Sequence, residues 1–284
     1  MQKINNNNFL IKNKTHFIKK YSKERKESFE REFYFYNFFK NNQKIFIPKL
    51  INKKKNRSIT FQYYPFKKIK SQKEYFKSLF DFFCQTNAKH NKHYVKKSKE
   101  MHLSMKNIRN NINNRILEIK ESQENNVKLN IMIRKVSKLL PKKDSKKKFN
   151  SKKFKIISQS DIGIHNAALY KKNIFFFDFE YSGRDHIVKF LCDIYYQPEL
   201  NVNRKFFKVF LNNIQKFIGI NISGAIATFE PFYKAKMILI ILKIFNGKNK
   251  FYNSTNSKIL NIKNERLKKA YVYFNKKSIT SLIK

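Results

Sequence analysis

Ser160-Asp161-Ile162-Gly163-Ile164-His165-Asn166 is followed closely by Ile174-Phe175-Phe176-Phe177-Asp178-Phe179-Glu180, a polar turn and then an apolar run that ends in acid. Between them, Ala167 to Tyr170 and Ile174 to Phe177 read as two short strands around Lys171-Lys172-Asn173. This hairpin is symmetric about Lys172, which sets Asn166 opposite Asp178 at its open end. Cross-strand neighbours there lie about 5 Å apart. Two oxygen-bearing side chains at that separation suit one hard cation such as Mg²⁺. Asp161, on the turn just before, is placed to meet a hydroxyl beside that metal.

Phosphoryl transfer requires this set of groups. One carboxylate orients the attacking hydroxyl and accepts its proton, while an amide and a second carboxylate hold the metal that bridges the nucleotide phosphates. Asp161, Asn166 and Asp178 follow the order and spacing of the Asp-x4-Asn and hydrophobic-Asp-Phe motifs of protein kinases. Asp-x4-Asn alone arises easily in a chain this rich in Asn; its pairing with the Phe-Phe-Phe-Asp-Phe-Glu run is the specific signal. The plainer alternative is a polar turn and a hairpin with an Asp at its end. His165, beside Asn166, reads as a residue that holds the loop rather than as a base.

Upstream, Phe9-Leu10-Ile11 and His16-Phe17-Ile18 flank Lys12 to Thr15 in a hairpin pattern. After Tyr21, Phe29, Phe33, Tyr36 and Phe39 recur at helical steps. A second hairpin is expected from Leu50-Ile51 and Ile59 to Tyr64 around Asn52 to Arg57, closed by Pro65. From Ser71 the pattern is helical, with Tyr75, Leu79, Phe82 and Phe83 on one helix and Ile108, Ile112, Ile116 and Ile119 on another. Pro141 to Lys155, rich in Lys, reads as an exposed loop. Beyond Phe179 helices return, with Phe206, Phe207, Val209, Phe210, Ile214 and Phe217 in one and Met237 to Phe245 in another. The order predicts an α+β, two-lobed molecule: a small β-rich N-lobe over 1–66, and a larger, mainly helical C-lobe over 67–284 with the catalytic loop and hairpin at 156–180.

The formal charge is +44, from 63 Lys and Arg against 19 Asp and Glu. Such a charge first suggests a nucleic-acid partner. Lys, however, outnumbers Arg about six to one, is scattered along the chain, and accompanies abundant Asn, Ile and Phe, the profile of A/T-rich codons on any fold. Nucleic acid is therefore not the expected partner, and no known RNA- or DNA-binding module is visible. Cys84 and Cys192 lie in apolar surroundings without metal-ligand spacing, which implies free thiols in a reducing compartment. With neither a signal-peptide pattern nor a bilayer-length apolar run, the expected setting is cytoplasmic.

Ser160-Asp161-Ile162-Gly163-Ile164-His165-Asn166 and Asp178-Phe179-Glu180-Tyr181 resemble the two motifs of the aminoglycoside phosphotransferase and choline kinase-like enzymes, which have the protein-kinase-like fold. The match is to a bacterial branch often implicated in sugar or surface-polysaccharide metabolism. The resemblance implies ATP or another nucleoside triphosphate, Mg²⁺, and a small-molecule hydroxyl acceptor of sugar or amino-alcohol type. It implies that Asp161 is the catalytic carboxylate and that Asn166 and Asp178 bind metal. It further implies a nucleotide-binding Lys, best matched by Lys19 over Lys20, and a helix Glu paired with it, best matched by Glu32 over Glu30. Gln62, Tyr63 and Tyr64 correspond to the hinge whose backbone meets adenine. His165, Glu180 and Asp193 fall in supporting positions, with Asp193 bracing the catalytic loop or capping a helix.

Two positions depart from the family pattern. Asn5 to Asn8 stands where a Gly-rich phosphate loop is usual, and Gln159 replaces a His two residues before Asp161. They motivate a second reading, a catalytically degenerate pseudokinase that binds a nucleotide or a partner. A basic nucleic-acid-binding protein is the third.

Overall fold

Short apolar runs between polar turns build an antiparallel sheet of five strands, ordered β1-β2-β3-β5-β4. These are β1 (Gln2–Asn5), β2 (Asn8–Lys12), β3 (His16–Tyr21), β4 (Leu50–Lys54) and β5 (Ser58–Gln62). The computed structural model describes residues 2–5, 8–12, 15–54, 56–99, 104–121, 126–141, 154–198, 200–246 and 257–283. The β2–β3 hairpin pairs Ile11 with Ile18 and Lys12 with Phe17. β1 was not legible, because Ile4 is its lone apolar residue. It ends at Asn5 and β2 begins at Asn8, so the centre of the Asn-rich turn lies outside the described residues. In the second hairpin Asn52 to Lys54 belong to strand β4 rather than to the turn, which narrows to the residues around Arg57, at φ 58°. Tyr63 and Tyr64 lie beyond β5.

Helix α1 (Lys26–Phe39) buries Phe29, Glu32, Phe35, Tyr36 and Phe39. The central position of that stripe is thus a carboxylate, and Phe33, expected on it, is only half-buried.

The larger part begins with α2 (Gln72–Thr86), whose first turn is capped by Ser71 Oγ accepting from the Glu74 N–H at 3.2 Å. Next come α3 (Met105–Lys120), with its four isoleucines inward, and α4 (Val127–Leu139). Strand β6 (Lys155–Ser158) includes Lys155, expected in the preceding loop; residues 142–153 of that loop lie outside the described residues. Then follow β7 (Ala167–Tyr170), β8 (Asn173–Phe176), β9 (Gly183–His186), α5 (Ile187–Tyr195), α6 (Arg204–Ile218), α7 (Ser223–Ile241), α8 (Ser257–Asn275) and α9 (Thr280–Ile283). The helix expected through Phe245 stops at Ile241, and Leu242–Phe245 winds into a tighter 3-10 turn. No helix among the described residues is long and apolar enough to cross a membrane.

The β7–β8 register differs from the sequence expectation by one residue. Ala167 faces Phe176 and Tyr170 faces Asn173, so the hairpin closes on the two residues Lys171-Lys172. Lys171 takes the left-handed conformation (φ 54°) that two-residue hairpin turns favour. Lys-Lys carries no signal for such a turn, hence the error. Asn166 is therefore not opposite Asp178: its carbonyl accepts the Phe177 N–H at 3.1 Å. Asp178 lies one residue further on, itself left-handed at φ 65°.

Two devices fix the site on this frame. Phe179, fully buried, stacks on Phe35 of α1 with centroids 3.9 Å apart and 10° between planes, and on Phe82 of α2 at 6.1 Å. The other is ionic. Lys189 on α5, 1% exposed, lies 2.8 Å from Asp185 and 2.7 Å from Asp193, and donates to Ser160 Oγ at 2.8 Å. It thereby tethers the turn before Asp161, where Ser160 is left-handed at φ 69°. Burial alone would lower the Lys189 pKa, but the two carboxylates outweigh it and hold the pKa above 10.5.

Phe179→Ala should lose about 3–5 kcal/mol of unfolding free energy, measured in urea. Lys189→Met leaves two buried carboxylates uncompensated and should cost about 3–5 kcal/mol near neutral pH. Because the folded pKa of Lys189 is raised, its contribution is complete below the ordinary value of 10.5 and is lost as pH rises through the folded value. The stability gap between wild type and Lys189→Met should therefore stay level up to about pH 10 and narrow above it.

Candidate active site

β3 and α1 pack so that Lys19 points at the helix face that carries Glu32. Lys19 Nζ lies 2.8 Å from Glu32 Oε2, is hydrogen-bonded to Asp178 Oδ1, and lies 3.5 Å from Glu180 Oε2. Arg25 closes the cluster at 2.5 Å from Glu180 Oε1, and Arg31 donates to the Glu180 carbonyl at 3.2 Å. Lys20 and Glu30 take no part in it among the described contacts. Burial would lower the Lys19 pKa, yet Glu32, Asp178 and Glu180 together hold it above the usual ammonium value. Burial pushes Glu32 upward and its carboxylate neighbours add to this, while Lys19 pulls it back. Glu32, Asp178 and Glu180 each offer an oxygen within 4.8 Å of the others. Of the three, Asp178 is the open one, its side chain 33% exposed against 2% for Glu32 and 4% for Glu180.

The turn 158–166 presents Asp161 and Asn166. Asn166, buried, donates from Nδ2 to the Asp161 carbonyl at 2.9 Å. Its Oδ1 has no hydrogen-bond partner among the described residues. Gln159 donates from Nε2 to the carbonyl of Phe177, the residue before Asp178, and so links the turn to the segment after β8. His165 Nε2 lies 3.9 Å from Asp161 Oδ2, with both side chains about two-fifths exposed. Gly163 makes room for that ring: a Cβ there would come within 2.3 Å of His165 Cε1 and of Gln197 Nε2.

At the junction of the lobes, Gln62 gives its N–H to the Lys49 carbonyl at 2.9 Å, and Tyr63 gives its own to Thr15 at 3.0 Å. The Tyr64 N–H makes no hydrogen bond among the described residues. The Tyr64 ring joins Phe66, Tyr170 and Phe175 in an aromatic group that ties the junction to the β7–β8 hairpin. Lys67 and Leu169 exchange backbone hydrogen bonds at 2.8 and 2.9 Å across the same joint.

Asp161, His165 and Asp193 share the wall of a cavity of about 340 Å³; Lys19, Glu32, Asp178 and Glu180 are not among its lining residues. Asp193 sits in α5, whose N-cap is His186, so it caps nothing. It reaches the catalytic turn through Lys189, and burial raises its pKa against the pull of Lys189 and Lys236. The structure thus gathers Lys19, Glu32, Asp178 and Glu180 in one cluster and Asp161, His165 and Asp193 round one cavity. Asn166 is bonded to Asp161, and Gln62, Tyr63 and Tyr64 form the junction. Sequence reasoning missed Arg25, Lys189 and the linking role of Gln159. The Asp-x3-Lys-x3-Asp spacing over 185–193 was the available signal for Lys189, although Asp185 stands in β9 just before α5 and only Lys189 and Asp193 share the helix.

No family model matches the chain, and no curated protein matches it significantly in sequence. Solved structures do match in shape over nearly its whole length. The choline kinase LicA from Streptococcus pneumoniae aligns at 13% identity over 96% of this chain and 92% of its own, with a TM-score of 0.59. The ADP-bound aminoglycoside phosphotransferase APH(2'')-Ib aligns at 12% identity over 96% and 93%, with a TM-score of 0.57. The streptomycin–ATP complex of APH(2'')-IIa aligns at 12% over 95% and 91%, also with a TM-score of 0.57. The chain therefore has the two-lobed, α+β protein-kinase-like fold in the form that aminoglycoside phosphotransferases and choline kinases share.

Proposed function

We propose that this protein is an ATP- and Mg²⁺-dependent phosphotransferase acting on a hydroxyl of a small metabolite. The observation that carries this reading is the Lys19–Glu32–Asp178 cluster, built from both lobes, with Asp161 on the wall of the neighbouring cavity. Residues 1–66 supply the nucleotide side and 67–284 the acceptor side. The similar structures solved with ADP or ATP support the choice of nucleotide.

The residues fit a divalent cation. Glu32 and Glu180 are buried and each held by a cation of the protein, while Asp178, bonded to Lys19 through Oδ1, keeps its side chain one-third exposed and Asn166 Oδ1 has no partner among the described residues. Asp178 and Asn166 would hold Mg²⁺, which neutralises charge on the nucleotide phosphates when bound. The Tyr64 N–H would receive the adenine edge. Lys19, kept in its charged form and oriented by Glu32, would contact the phosphates.

The Asp161 carboxylate orients the acceptor hydroxyl and takes its proton. The hydroxyl oxygen bonds to the γ-phosphorus as the bond from that phosphorus to the β–γ bridging oxygen breaks, and the electron pair leaves with ADP. Asn166, bonded to the Asp161 carbonyl, holds this base in register with the metal position. His165, near Asp161 and over Gly163, shapes the turn. Acceptors of sugar or amino-alcohol type, in surface-polysaccharide metabolism or elsewhere, fall within this chemistry.

ADP release with Mg·ATP and a panel of sugars, sugar acids, sugar phosphates, amino alcohols and nucleosides tests the proposal. Turnover is expected with at least one class, and ADP formation with none would overturn it in favour of a non-catalytic, nucleotide-binding role. Asp161→Asn should lower kcat by about 10²–10⁴-fold while Mg·ADP still binds. Asp178→Asn should instead abolish the Mg²⁺ dependence of nucleotide binding in calorimetry. Wild-type turnover in Asp161→Asn would remove that residue from its role.

A further inference from the structure

The cavity beside Asp161 is walled by cations. Arg115 of α3, Lys236 of α7, Lys243 of the 3-10 turn after it and Arg266 of α8 line it, against two carboxylates among the described residues, Asp161 and Asp193. Asp193 already pairs with Lys189 at 2.7 Å. Asp193 also faces Lys236, and among the described lining residues the cations outnumber the carboxylates four to two.

Codon bias does not explain this wall. Lys outnumbers Arg about six to one in the chain, yet two of the four cations here are Arg, the side chain that grips phosphate and carboxylate in a fork. Lys236 is only 3% exposed, between buried Ala235 and Met237 on α7. An ammonium in that position carries a desolvation cost that random surface lysines do not. A cationic acceptor would meet four like charges, whereas an anionic one would be drawn in. The volume of about 340 Å³ suits a monosaccharide-sized ligand.

We infer that the acceptor is itself an anion, a hydroxylated metabolite carrying a phosphate or carboxylate, of the sugar-phosphate or sugar-acid class. Arg115, Lys236, Lys243 and Arg266 hold the anionic group, and the reacting hydroxyl lies at Asp161. The inference rests on the phosphotransferase reading of Asp161 and specifies the acceptor end of the same transfer.

Calorimetry with matched probes, which needs no turnover, tests it. In Mg·ADP at about 0.1 M salt, where exposed charges are partly screened, the probes are glucose 6-phosphate, glucuronate, glucose and glucosamine. Glucose 6-phosphate or glucuronate should bind at least about 10-fold more tightly than glucose, the tenfold step being about 1.4 kcal/mol. Glucosamine should bind no better than glucose. Which of the two anions wins distinguishes a phosphate from a carboxylate acceptor. Lys243→Glu and Arg266→Gln should each erase most of that preference at an unchanged melting temperature, and Lys236→Met provides a further variant from the buried wall. Equal or tighter binding of glucose or glucosamine would overturn the anionic-acceptor inference and leave the phosphotransferase proposal standing. A panel without ADP formation, alongside anion-selective binding, would do the reverse for the reaction and keep the pocket assignment.

Discussion

The Lys19 ammonium, buried between β3 and α1 and reaching across to Asp178, is the interaction on which the arrangement of the two lobes turns. A buried cation must have counter-charges, and here three carboxylates from two segments, α1 and residues 178–180, provide them. That requirement explains why α1 carries Glu32 at the middle of its apolar stripe, where a Phe would pack as well. It also accounts for the left-handed Asp178, because an extended residue at the end of β8 would send its side chain elsewhere. Buried ion pairs are poor sources of net stability, since desolvation offsets most of the Coulomb gain. The aromatic stack of Phe35, Phe179 and Phe82 contributes the cohesion, and the ions contribute the geometry. Phe179 lies between Asp178 and Glu180, so one short segment delivers both.

Scarcity of acid in this chain sharpens the meaning of where acid occurs. Six of its 19 Asp and Glu residues, namely Glu32, Asp161, Asp178, Glu180, Asp185 and Asp193, stand in or directly behind the site. The other 13 carboxylates are spread over the rest of the chain, so acid is concentrated around this site. The surrounding excess of positive charge raises the local concentration of nucleotides and other anions without any specific contact.

Periodicity and composition made the larger elements legible. The isoleucines of α3 and the Tyr75–Leu79–Phe82–Phe83 face of α2 are long, regular stripes, and such patterns survive sequence drift. The Asp161, Asn166 and Asp178 motif was legible because its spacing is dictated by chemistry. The hairpin register was not. Nothing local distinguishes a two-residue turn at Lys171-Lys172 from a three-residue one, and pairing with Lys67 and Leu169 settles it from outside the hairpin. Strand β1 was equally opaque, with one apolar residue and its identity supplied by pairing with β2. The pair of Arg25 with Glu180 and the bond from Lys189 to Ser160 join segments far apart in sequence, which spacing alone does not encode.

Gln159 bears on whether divergence has dismantled the site. The family resemblance puts a His at this position, and its loss looks like decay when only the sequence is considered. In the folded chain the Gln159 amide donates to the Phe177 carbonyl, tying the turn of Asp161 to the strand that ends at Asp178. An imidazole N–H and a carboxamide N–H are interchangeable as single donors to a carbonyl. Glutamine, encoded by A-rich codons, therefore replaces histidine without removing the link. The link between the two halves of the site therefore needs a donor at this position rather than one particular residue type.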